Sequence, residues 1–222
     1  MAQGVASLGG ISVTRRGVPE ESESALQELL DLIEAYARGE RDGYDFSRLN
    51  RLSKRLKTLD PHVGRLRELL RGEEREIEAG AVALIYVAKR VDVRGLLNVL
   101  LTAPPEVEGV LSAIRESLPQ LDSARRSVVL KMARAGLNNS SSRDGAFYLL
   151  ETAAKSGWDL SDLAGPISEF LIPLDPASDL ETEADRIRTP HLALRILKAA
   201  AGTSDLSASV PRLHALSKER RF

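Results

Sequence analysis

Two stretches decide how this chain is built: AFYLLETAAKSGWDLSDLAGPI, Ala146–Ile167, and ALRILKAAAGTSDLSASVPRL, Ala193–Leu213. Each has Leu, Ile and Ala at helical spacing, a polar turn, the triplet Asp-Leu-Ser and then a proline. The triplet begins at Asp159 and again at Asp205, 46 residues further on. Self-similarity at that period marks stacked helical repeats, in which one helix hairpin cannot bury its apolar face until the next covers it. The pattern predicts a scaffold with a long surface. It predicts no reaction.

Working outward, nearly everything from Glu23 onward predicts helices. A first runs about Ser24–Arg38, with Leu26, Leu29, Leu30 and Ile33 on one face and Gly39 past its end. A second is expected over Phe46–Leu59 from the spacing of Leu49, Leu52, Leu56 and Leu59. Asp60-Pro61 then offers an N-cap and an N1 proline for a third. Glu73, Glu74 and Glu76 open a fourth at its positive dipole end, and Lys89 and Arg90 close it. Between them AGAVALIYVA is apolar all round, which predicts the most buried helix.

Further along, Asp92, Pro104-Pro105 and Asp122 mark three more helix starts, Gly136 one end, and Asn138–Gly145 a polar loop. Residues 173–189 predict a long loop with room for one helical turn or two, and Thr189-Pro190 restarts the second copy. The total is about eleven helices and no strand. Residues 1–22 are expected to be a flexible leader, with a short strand or docking segment conceivable at Ile11–Val13.

Composition excludes several functions. Without cysteine there is no disulfide, thiolate nucleophile or cysteine zinc site. A net charge of −1 gives no global pull toward nucleic acid or anionic membrane. No run approaches the roughly 20 apolar residues of a membrane span, and the N-terminus lacks the pattern of a secretory signal. P-loop, dinucleotide and nucleophile-elbow motifs are missing, so no cofactor is expected.

The pattern A-x-x-L-L-x-x-A-A, polar turn, D-L-S, x-P-x-[Ile/Leu] resembles bacterial HEAT-like, armadillo-type helical repeats. Its first copy is carried by Ala146, Leu149, Leu150, Ala153, Ala154, Asp159, Leu160, Ser161, Pro166 and Ile167. The second is carried by Ala193, Ile196, Leu197, Ala200, Ala201, Asp205, Leu206, Ser207, Pro211 and Leu213. The resemblance is clear over the C-terminal part, weaker from Glu73 to Gly136, and not visible before Glu73. It implies an α-solenoid of antiparallel helix pairs and a role as a binding scaffold. Physics alone gives the two aspartates a capping job worth roughly 0.5–2 kcal/mol each.

Few residues invite chemistry. His62, His191 and His214 are scattered without metal-ligand spacing, and the acidic run Asp175, Asp179, Glu181, Glu183 and Asp185 lacks a calcium-loop pattern. The segment Arg48–Arg71 is the most charged. Arg48, Arg51, Lys54, Arg55, Lys57, Arg65, Arg67 and Arg71 stand there against only Asp60 and Glu68. It is open to three uses: a solvated face, an acidic protein partner, or phosphates of DNA or RNA. Trp158 lies in the turn of the first copy, either as a partner anchor or as packing over the end of the helix pair.

The expectation is therefore an all-α chain with a leader (1–22), a divergent helical cap (23–72) and HEAT-like repeats (73–222). It would serve as a non-enzymatic cytoplasmic scaffold for a protein partner. Nucleic-acid binding through residues 48–71 is the alternative, and a small helical enzyme a third.

Overall fold

The computed structural model describes residues 20–60, 62–171 and 183–219. The described residues contain eleven α-helices and no strand. They are α1 (Glu20–Ala37), α2 (Phe46–Ser53), α3 (Val63–Leu69), α4 (Glu74–Val87), α5 (Arg94–Leu100) and α6 (Val110–Ser117). After them come α7 (Arg126–Leu137), α8 (Arg143–Lys155), α9 (Ser161–Ser168), α10 (Glu183–Ala200) and α11 (Val210–Glu219). The leader up to residue 19 and the acidic run up to Glu181 lie outside the described residues.

Local signals account for the ends. Gly39, with φ 77°, closes α1, where Gly39 N donates to Tyr36 O and Glu40 N to Ala35 O, both at 2.9 Å. That is the left-handed Schellman close that a side chain with a Cβ adopts only at a cost. Gly157, φ 75°, ends α8 the same way through Trp158 N to Ala153 O at 3.1 Å. At the start of α4, Glu73 N donates to Glu76 Oε2 at 2.8 Å, so the glutamates cap as expected.

Packing links helices in chain order. Helix α4 packs on α1 and on α6, α6 on α8, and α8 on α10. The intervening helices lie alongside: α5 on α3 and α6, α7 on α6 and α8, α9 on α7 and α10. One continuous core of Leu, Ala, Val and Ile runs through them. In α4, Ala79, Gly80, Ala81, Val82, Ala83, Leu84 and Val87 are all buried, as the apolar run predicts. Small side chains there let neighbouring helices approach closely.

Five expectations need correction. Helix α2 stops at Ser53 rather than Leu59. Its chain breaks so that Lys57 N donates to the buried Ser22 Oγ at 3.0 Å, yet Leu56 and Leu59 still enter the core from turn backbone. Asp60 does not cap α3, whose N-cap position is His62 without a side-chain bond. Helix α6 starts at Val110, after Gly109 at φ 85°, not at Pro104-Pro105. Residues 183–189 are helical, so Pro190 sits inside α10. Burial of Leu192, Ala193, Ile196 and Leu197 outweighs a proline penalty of about 3 kcal/mol.

Gly136 is the fifth. It lies within α7, and it serves packing rather than termination. A Cβ added there would sit 2.4 Å from Leu111 Cδ1 and 3.2 Å from Ala146 Cβ, while one at Gly145 would sit 3.3 Å from Leu111 Cβ. The two glycines thus form the hole that receives Leu111 of α6. Gly136→Val is expected to lower stability by about 1–3 kcal/mol through overpacking, read by urea unfolding. An unchanged midpoint would refute this packing.

Candidate functional site

The basic segment does not stand free. Arg48 Nε donates to Glu28 Oε1 at 2.7 Å, and Arg55 Nη2 to Glu21 Oε1 at 2.9 Å. Arg65 reaches Glu34 at 2.7 Å, Asp31 at 2.9 Å and Gln27 at 3.1 Å. The Arg65 guanidinium holds the Asp31 carboxyl below its ordinary range. All of these acceptors belong to α1, which carries acidic residues and no basic one. These three arginines therefore fasten α1 onto α2 and α3. Arg67 leans toward Gly95 O, while Arg51, Lys54 and Arg71 are exposed.

Trp158 is buried, at 4% exposure, with the Arg126 guanidinium 5.2 Å from its ring centroid. It packs over the end of its helix pair, so the exposed anchor expected as one option is not what the fold presents. Among the described residues the exposed large aromatic is Phe46, at 56%. Its ring lies 5.8 Å from Tyr44 and 6.5 Å from Tyr86, and Tyr44 lies 3.9 Å from Tyr36. Tyr36 Oη donates to Glu78 Oε1 at 2.9 Å and has Arg75 over its face. Sequence separation from 36 to 86 hid this row.

The turns between α4 and α5, α6 and α7, α8 and α9, and α10 and α11 share a repeated chemistry. Asp92 Oδ1 accepts from Arg94 N at 2.9 Å, Asp122 Oδ1 from Arg125 N at 3.1 Å, Asp159 Oδ1 from Ser161 N at 3.0 Å, and Asp205 Oδ1 from Ser207 N at 2.9 Å. Each carboxylate satisfies an orphan donor at the start of the following helix. The Asp-Leu-Ser pattern thus has two looser forerunners at Asp92 and Asp122. Ionisation is favoured at Asp92, Asp159 and Asp205. The Arg94 side chain holds Asp92 down to about 2, the Ser161 hydroxyl lowers Asp159, and the Ser207 backbone N–H lowers Asp205.

Adjacent turns are also bonded to each other. Leu160 N donates to Ser204 Oγ and Asp205 N to Ser161 Oγ, both at 2.7 Å, tying the two clear copies together. Upstream, Gln120 Oε1 accepts from Val93 N at 2.7 Å, and its Nε2 donates to Ala88 O at 2.8 Å and Val91 O at 2.9 Å.

Along these turns runs a trough of two adjoining hollows, about 840 Å³ and about 760 Å³, which share Ala88, Lys89, Pro119, Gln120 and Leu121. Lys57, Lys89, Arg90, Arg94, Arg115, Arg125 and Arg126 line it against Asp92, Glu116 and Asp122. Lys89 pairs with Glu116 at 2.9 Å, Arg115 with Glu116 at 2.6 Å, and Arg125 with Asp122 and Asn98. Only Lys57 of these belongs to the basic segment marked in the sequence. The others come from separate turns and helix ends; Lys89, Arg90 and Arg115 lie near helix C-termini, where cations offset the dipole. Cations close to Asp92 and Asp122 were the available signal.

The three histidines stand on different elements, His62 before α3, His191 on α10 and His214 on α11. Among the described residues no group of three or more His, Asp or Glu side chains is placed to hold a metal ion. No described helix is long and apolar enough to cross a membrane. Compared with known proteins, the chain matches no family model, no curated protein and no solved structure.

Proposed function

We propose that this protein is a non-enzymatic scaffold that binds a protein partner through the surface of a HEAT-like array of helix pairs. The observation that carries the proposal is the repeated aspartate turn. Consecutive helices α4 and α5, α6 and α7, α8 and α9, and α10 and α11 are each joined through an aspartate turn, and the last two turns hydrogen-bond across a 44-residue separation. Helices α4, α6, α8 and α10 also follow one another by direct contact. An array of this kind buries its core between neighbours and leaves a long outer surface for binding. The trough is lined by ion-paired arginines and carboxylates without a histidine, which suits recognition better than acid–base work near neutral pH.

Nucleic-acid binding through residues 48–71 has less support, because Arg48, Arg55 and Arg65 are already committed to α1. Photo-crosslinking distinguishes the two. A benzoylphenylalanine placed at Phe46, at Arg90 or at the exposed Leu194 and Val210 is expected to capture one protein from neighbouring positions in the source cell. The scaffold proposal fails if no position captures a protein while the purified chain shifts duplex or single-stranded DNA at low salt.

A further inference from the structure

We propose that the trough along the aspartate turns binds an extended acidic peptide segment of a protein partner. This rests on the scaffold proposal and names the chemistry of one of its binding sites. The trough is built before any ligand arrives. Its floor is locked by Gln120, which engages backbone groups of Ala88, Val91 and Val93, so little ordering remains for binding to bring about.

Its cations are set out in two ways. Arg94 is held by Asp92, and Arg125 by Asp122 and Asn98; each guanidinium keeps N–H donors beyond those bonds. Lys57 and Arg90 are exposed and have no ion-pair partner among the described residues. Carboxylates meeting guanidinium groups form short charge-assisted bonds, often in pairs.

The surroundings favour a short acidic segment over a polymer. Positive charge is gathered in the trough while the whole chain carries −1, and a trough of this length matches a short acidic segment. The trough's one aromatic side chain, Trp158, is buried beneath Arg126 and offers no face for base stacking. Beside Trp158, the apolar floor consists of Ala88, Val91, Leu118, Pro119 and Leu121, too little to seat the apolar face of an amphipathic helix. An extended strand carrying Asp and Glu fits both the shape and the charge.

The test measures fluorescence anisotropy of a short labelled Asp/Glu peptide with the full-length protein, against a neutral peptide and duplex DNA. The acidic peptide is expected to bind at low salt and weaken as salt rises. K57E/R90E removes two unpaired cations and is expected to weaken it about tenfold, each reversal adding a modest exposed-charge term. R51E/K54E reverses exposed cations of α2 and its end, outside the trough, and is expected to change affinity less than about twofold. Circular dichroism confirms that both variants remain folded. Absence of peptide binding at low salt, equal loss in both variants, or tighter binding of DNA than peptide would overturn the proposal. If photo-crosslinking still captures a protein from Phe46 or Val210, the scaffold proposal survives that failure.

Discussion

Phe147→Ala is expected to cost about 3–5 kcal/mol of unfolding free energy, because the site combines lost transfer energy with a cavity that helices cannot close. Phe147 is fully buried and meets Phe170 edge-to-face, with centroids 5.2 Å apart and planes at 84°. Phe170 belongs to the 3₁₀ turn after α9, and that turn also packs on α10 and α11. The substitution therefore loosens three elements through one contact. In a chain of this size such a loss lowers the melting temperature by about 10 °C. Phe147→Leu keeps most of the volume and is expected to cost about 1–2 kcal/mol. A Phe147→Ala loss below about 1 kcal/mol in urea unfolding would mean that α8 does not pack as described.

The second large effect concerns Glu151, a buried carboxylate on α8 reached by Lys155 Nζ at 2.6 Å and by Arg195 of α10. Burial by itself raises its pKa, but the hydrogen bonds from Lys155 and Arg195 outweigh this and leave it below the ordinary glutamate value. A lowered folded pKa contributes stability above the unfolded value of about 4.3, and that contribution disappears as pH falls through the folded value. K155A/R195A leaves the carboxylate buried without either partner. The expected cost at neutral pH is about 2–3 kcal/mol, below the roughly 3–5 of a fully enclosed pair because both cation ends are exposed. The sign of the pH dependence then reverses. With its pKa raised, Glu151 in the variant favours unfolding when ionised, so acidification below about pH 5 narrows the gap to the parent chain. A pH-independent gap in denaturant midpoints would count against this account.

Much of the helical framework was legible before any coordinates. Gly39 and Gly157 end helices where expected, α4 is the buried apolar run, and Asp159 and Asp205 brace the turns of the two copies from one residue ahead of the N-cap positions Leu160 and Leu206. Each of these depends on residues within a turn or two of one another. Leu56 and Leu59 show where that fails. Their helical spacing predicted a longer α2, but burial asks only that they point inward, and turn backbone does this as well. Pro190 shows the converse, since a strong local stop is overridden by the buried face of α10.

The candidate site was harder to see. The positive stripe at Arg48, Arg55 and Arg65 was visible, while its counter-charges lay 20 to 34 positions away on α1. The trough gathers Lys57, Arg90, Arg94, Arg125 and Arg126 from turns that no periodicity connects. Trp158 and Arg126 become neighbours only once α7 and α9 pack together.

Helix count, the Asp-Leu-Ser turns and the lack of any cysteine chemistry followed from the order of residues, because hydrogen bonding within a helix and its caps is short-range. Which charges neutralise one another, which aromatic ring is left outside, and where cations collect followed from how the helices pack. Coulomb pairing and burial act between residues close in space, and closeness in space is set by the whole fold.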